Sequence, residues 1–239
     1  MIKRTSSFPL YDELYHAYSI FNRRLFDGAL PDCILTLQRK KGTAGYFSGS
    51  QFQSTDGYKQ LDEIAINPAY FLRGGVTEVM QTLVHEMVHQ WQQHHGKPGR
   101  GRYHNKEWSQ KMKSIGLMPS STGEPGGAET GDLMSDYVIE GGLFSKVLSE
   151  LLTSQFTISW ADRCPDIDSL QAQLDAGEDI EDILNEWNLD VDSDGQIVEG
   201  GSKSNRLKYQ CPICMVSVWG KPELKLLCMS CEKQMEEVE

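Results

Sequence analysis

Leu83-Val84-His85-Glu86-Met87-Val88-His89 is the stretch on which the reading of this chain turns. It contains the pattern His-Glu-x-x-His. Residues four apart on an α-helix stand one turn above each other, so both imidazoles can reach one metal ion. Glu86 is then rotated to address a metal-bound water. Outward from this core, Val76, Val79, Met80, Leu83, Met87 and Trp91 recur at helical spacing after Gly74-Gly75, until Gly96-Lys97-Pro98-Gly99 breaks the pattern. A helix over about residues 76–95 is therefore predicted, with the motif on it.

Two imidazoles do not make a metal site, and three residues compete for the third position. His95 lies six residues after His89, a metzincin-like spacing, but that pattern needs a glycine where Gln92 stands so that the chain can turn. Glu107 would suit a gluzincin-like arrangement. His104 is the better candidate: Gly96, Pro98, Gly99 and Gly101 let the chain return, and His104 is expected to open a third helix over residues 104–115. Three neutral imidazoles leave a zinc ion one open position, as hydrolysis requires, whereas a closed structural site takes four protein ligands. His16 and His94 read as surface or packed residues, and Trp91, Trp108, Met112 and Met118 as core beneath the site.

Before the motif, Leu10, Leu14, Ala17, Tyr18, Phe21 and Leu25 line one helical face over residues 8–26, stopped by Asp27-Gly28. Strand-forming runs at 33–38, 44–52 and 63–67 are separated by turn residues and predict a small, mostly antiparallel sheet. After it, residues 119–131 read as a loop, 144–152 as a helix and 156–160 as a strand. The fold class expected is α+β.

The chain has 239 residues, a net charge of −11 and no run of eighteen apolar residues, so no membrane partner is expected. Residues 1–7 run straight into an amphipathic pattern with no apolar leader, which predicts a cytoplasmic protein, or a nuclear one if eukaryotic. The charge is uneven: residues 166–199 hold twelve acids and no Lys or Arg, and the rest is close to neutral. Residues 97–113 carry Lys97, Arg100, Arg102, Lys106, Lys111 and Lys113 against Glu107 alone, and Arg39-Lys40-Lys41 forms a smaller basic knot. A local basic surface is compatible with nucleic acid. The organisation expected is a catalytic domain over 1–165, an acidic linker over 166–202 and a small module over 203–239.

Cys211, Cys214, Cys228 and Cys231 form two CxxC pairs separated by thirteen residues, which reads as a ribbon closed by a structural zinc. Cys33 and Cys164 read as reduced apolar fillers. In the ribbon, Arg206, Lys208, Tyr209, Trp219, Lys221 and Lys225 offer phosphate contacts and stacking, and scaffolding alone is the competing reading.

The chain resembles the SprT-like family, which includes the Spartan proteases. The agreement runs in order through Phe21-Asn22, Leu25-Phe26-Asp27-Gly28, Leu30-Pro31, Gly45-Tyr46-Phe47, Ile64-Ala65-Ile66-Asn67-Pro68, the His85–His89 motif, and His104 with Trp108 and Met112. The resemblance, closest to bacterial or mobile-element members, implies a zincin-like metallopeptidase domain followed by a zinc-binding segment. It implies His104 as third ligand, one catalytic and one structural zinc ion, and hydrolysis of protein substrates. In the Spartan branch these are proteins crosslinked to DNA, with stimulation by DNA, single-stranded in preference. The rival from another class is a non-hydrolytic zinc protein binding nucleic acid or transcription machinery; Glu86 argues against it, since a structural site has no use for a general base.

Overall fold

The computed structural model describes residues 7–40, 42–154, 156–163, 167–187, 189–192, 194–199, 207–220 and 224–238. Lys41, Cys164, Arg206 and Lys221 lie outside them. The chain divides into two compact units, Met1–Trp187 and Asn188–Glu239.

In the first unit, α1 (Ser7–Leu25) buries Leu10, Leu14, Ala17, Tyr18, Phe21 and Leu25, the face the periodicity predicts. Three strands follow: β1 (Cys33–Leu37), β2 (Gly45–Gln53) and β3 (Gln60–Ile66), in the order β1-β3-β2. β2 pairs with β3 antiparallel, but β1 pairs with β3 parallel, so the sheet is mixed where a mostly antiparallel one was expected. The reason lies in β3. Its Ile64, Ala65 and Ile66 are buried on both faces, so it takes the central place, and β1 and β2 flank it. β2 is left at an edge, with a bulge between Ser48 and Phe52.

The motif helix α2 (Phe71–His95) is kinked at Gly75, whose φ is 66°, so its regular stretch runs from Val76 to His95 as the spacing predicts, with a separate short turn before the kink. Only glycine adopts that conformation without strain. α2 packs against β2, β3, α1 and α3 (Lys106–Ile115). Asn105 caps α3, its side chain accepting from the Trp108 N–H at 3.0 Å; Gly116, at φ 95°, ends it. His104 therefore precedes the helix it was expected to open, because asparagine is the better N-cap. β4 (Leu117–Ser120) pairs with β5 (Ser135–Val138), so the loop begins only after β4. α4 (Leu143–Thr153) returns to α1, stacking Phe144 on Phe21 with ring centroids 5.7 Å apart.

Residues 156–160, expected as a strand, run irregularly. Phe156 and Ile158 pack on the core, and Ser159 donates both its N–H and its hydroxyl to the Glu13 carboxylate, so the hydrogen bonds go to a side chain and not to a neighbouring strand. The acidic stretch expected as a linker holds α5 (Ile167–Asp175) and α6 (Glu181–Glu186) in the first unit and a hairpin, β6 (Leu189–Val191) with β7 (Ile197–Glu199), in the second. Leu170, Ile180 and Leu189 are buried, and α6 falls where the spacing of Ile180, Ile183, Leu184 and Trp187 suggests a short helix.

The second unit adds β8 (Leu207–Gln210), β9 (Ser217–Gly220) and β12 (Glu236–Val238) in the order β12-β8-β9, and a short pair, β10 (Leu227–Cys228) with β11 (Lys233–Gln234). Its core is small: Tyr209, Cys211, Cys228 and Met235. A core of this size does not hold a fold by itself. No helix among the described residues is long and apolar enough to cross a membrane.

Candidate metal centre

His85 and His89 project from successive turns of α2, and His104 meets them from the glycine-rich return. Nε2 of His104 lies 3.3 Å from that of His85 and 3.0 Å from that of His89. The distal nitrogens are engaged elsewhere: His85 Nδ1 donates to Asp136 Oδ2 at 3.0 Å, and His104 Nδ1 to the Gly131 carbonyl at 3.0 Å. With Nδ1 carrying the proton, each neutral ring turns an Nε2 lone pair toward the common centre. Lone pairs this close repel unless a cation lies between them. Tetrahedral coordination at ~2.0–2.1 Å would set the nitrogens about 3.3–3.4 Å apart, so the donor set fits zinc.

The electrostatics of His89 and His104 agree. Burial, then the neighbouring His85, pushes the pKa of His89 well below the usual imidazole value, and the same two effects lower that of His104 to about 4. Both are therefore neutral, as ligands must be. Burial also opposes protonation of His85, but the Asp136 hydrogen bond and the charges of Glu86 and Asp136 outweigh it and raise its pKa. Beneath the three rings lies the indole of Trp108, fully buried, with centroids 4.9, 5.5 and 4.4 Å from those of His85, His89 and His104. Its Nε1 is buried with no hydrogen-bond partner.

Glu86 points toward β2. Burial raises its pKa to about 7, against the opposing effects of His85 and of the Phe47 N–H that donates to it. β2 comes this close because residue 45 is glycine: a Cβ there would stand 2.7 Å from Thr82 Cγ2 and 2.9 Å from the Ala65 carbonyl oxygen. Gly45→Ala is accordingly expected to destabilise the domain by about 1–3 kcal/mol, through strain in a packed interface, and to shift β2 away from Glu86. Urea denaturation tests this; an unchanged midpoint would show that β2 yields freely.

The rival ligands are occupied elsewhere. His95 meets the Ala29 carbonyl at 2.9 Å; His94, read as a surface or packed residue, meets the Asp62 carboxylate at 2.6 Å. Glu107 accepts from the Lys97 N–H at 2.6 Å and from Gln92 Nε2 at 2.8 Å, clamping the return loop. Sequence reasoning missed Asp136, Gly131 and the Phe47 N–H. The one local signal was an aspartate inside a strand-forming segment, where aspartate is disfavoured.

The basic surface is smaller than expected. Lys111 lies over the rings of Phe26 and Trp91, and Lys113 pairs with Glu129 at 2.6 Å, leaving Lys97, Arg100, Arg102 and Lys106 exposed. In the knot, Arg39 pairs with Asp162 at 2.6 Å and Lys40 covers Tyr46.

The four ribbon cysteines bring their sulfurs within 4.8 Å of one another. Cys214 Sγ and Cys228 Sγ are 3.6 Å apart, too far for a disulfide but near the ~3.8 Å edge of a tetrahedron with zinc–sulfur bonds of about 2.3 Å. The N–H groups of Cys214 and Ile213 point at Cys211 and lower its pKa to about 7. Met215 and Glu232, each following the second cysteine of a pair, share a left-handed φ of 60° and 51°, so the two CxxC turns are alike. Tyr209 is buried, its hydroxyl accepting from the Leu224 N–H, and does not offer a stacking face. Cys33 is buried, which pushes its pKa up to about 12 and makes it inert.

Three convergent imidazoles, beside a buried carboxylate one residue after the first, form on this α+β scaffold a group that could hold a metal ion. The SprT-like family profile matches residues 14–125. A protein of Salmonella typhimurium described as "Uncharacterized protein in mucB 3'region" is 48% identical over 54 residues, which are 23% of this chain and 73% of that protein. The chain belongs to the SprT-like family. No solved structure matches it significantly.

Proposed function

We propose that the chain is a zinc-dependent metalloendopeptidase of zincin-like architecture, with His85, His89 and His104 as ligands and Glu86 as general base, acting on DNA-associated or DNA-crosslinked proteins. The observation that carries this is the convergence of three Nε2 atoms beside a buried carboxylate whose pKa is raised to about 7. Zinc bound there would supply Lewis acidity, polarising the scissile carbonyl and lowering the pKa of water toward ~7. Glu86 takes a proton from that water and returns it to the leaving amine; a base poised near neutrality does both. β2, an edge strand beside Glu86, offers its outer backbone to an extended substrate, which would bind as an added strand. The four cysteines would hold a structural zinc, which would supply order to a unit with little core of its own. Thiolate ligands fit a reducing compartment, the cytoplasm or a nucleus.

The DNA side rests on position. Lys97, Arg100, Arg102 and Lys106 lie exposed on and just beyond the return that carries His104, so a strand bound there brings an attached protein to the metal. The test is cleavage of a crosslinked protein with and without single-stranded DNA. Stimulation is expected for the unaltered chain, and is expected to vanish when Lys97, Arg100 and Arg102 are changed to Glu while cleavage of an unfolded peptide persists. DNA affinity should fall as salt rises. Equal rates with and without DNA would leave a metallopeptidase without a DNA role.

A further inference from the structure

We propose that Asp136 is a positioning residue for the metal: its carboxylate holds the His85 ring with Nε2 turned to the common centre and thereby raises the affinity of the three-imidazole site for a divalent cation. The inference rests on the reading of that site as a metal site, but Asp136 lies beyond residues 14–125, the stretch the family profile matches.

The Asp136 side chain is only 7% exposed. A buried carboxylate is tolerated where donors meet it, and here both donors come from α2. His85 Nδ1 donates to Oδ2 at 3.0 Å, and Gln81, one turn earlier, donates Nε2 to Oδ1 at 3.2 Å. Gln81 thus fixes the carboxylate and the carboxylate fixes the ring. A free histidine prefers its proton on Nε2, the tautomer that cannot bind metal at that atom; the Asp136 acceptor selects the other. Asp136 itself is held by β5, whose register against β4 pairs it with Pro119. Five residues upstream, Gly131 does the same for His104: its carbonyl accepts from His104 Nδ1 at 3.0 Å and from the His104 N–H at 2.8 Å. A single segment, residues 131–136, therefore orients two of the three imidazoles.

The experiment is cobalt titration of the full-length, metal-stripped chain. Cobalt on imidazoles shows weak ligand-field bands, whereas cobalt on thiolates adds intense charge-transfer absorption, so the two sites are read separately. Asp136→Ala is expected to lower cobalt and zinc affinity at the imidazole site ~10–100-fold and to leave the thiolate site unchanged. Asp136→Asn, which keeps a carbonyl acceptor, should recover part of the loss. The melting temperature of the metal-free Ala variant should stay near that of the unaltered chain. Unchanged imidazole-site affinity in Asp136→Ala overturns the inference, as does a large fall in metal-free melting temperature with affinity retained in the cold, which would mark a merely structural role. If the unaltered chain shows no imidazole-type cobalt bands, the metal-site reading fails and this inference with it.

Discussion

Glu86→Gln is expected to lower peptide hydrolysis by ~10²–10⁴-fold, the scale of a lost general base, while the chain keeps its fold and its metal. Glu86 is 6% exposed and receives the Phe47 N–H; glutamine has the same shape and still accepts that bond, but it cannot take a proton from water. Burial, the largest influence, raises the folded-state pKa to about 7 against an ordinary value of 4.5. The charged form is disfavoured in the fold, so Glu86 costs stability as pH rises from its unfolded value through about 7. Replacing it with a neutral side chain removes that cost, and the metal-free variant at pH 8 should melt no lower than the unaltered chain. Metal content by native mass spectrometry and cleavage of an unfolded protein are the readouts. Cleavage at the unaltered rate would sink the general-base role.

His104→Ala is expected to reduce bound zinc from two ions to one and to abolish hydrolysis, because two remaining imidazoles cannot hold a catalytic ion that needs three protein ligands. His95→Ala should retain both ions and full activity. His104 Nε2 stands 3.0 Å from that of His89, whereas the His95 ring is spent on the Ala29 carbonyl. Metal analysis of the two variants side by side decides between them. Loss of an ion from His95→Ala, with His104→Ala intact, would overturn the ligand assignment and restore the metzincin-like alternative.

Much of the centre was legible because its geometry is local. His85 and His89 share a helical face by spacing alone, and the apolar periodicity of residues 76–91 places them on a helix that packs. The return of His104 was legible more weakly, through glycines that permit a turn without dictating where it ends; the structure ends it at Asn105, a cap, and not at His104. The four cysteines carry their own geometry in the CxxC spacing. In the acidic stretch the spacing of Ile180, Ile183, Leu184 and Trp187 suggests the short helix α6, but α5, with Leu170 as its buried residue, and the β6–β7 hairpin leave no period.

By itself the sequence determined the motif helix, the first helix, the strand-rich region between them and the thiolate cluster, because each depends on spacing along a few turns or on residue chemistry alone. Only the tertiary structure decided that β3 lies central and β2 at the edge beside Glu86, and that Gly45 must be glycine for β2 to approach. It also decided that Lys111 and Lys113 are spent on Trp91 and Glu129, and that Asp136 and Gly131 orient His85 and His104. The physical reason is sequence distance. Asp136 reaches His85 across 51 positions, and contacts at that range are chosen by how elements pack, a competition among many apolar surfaces that no short window of residues records.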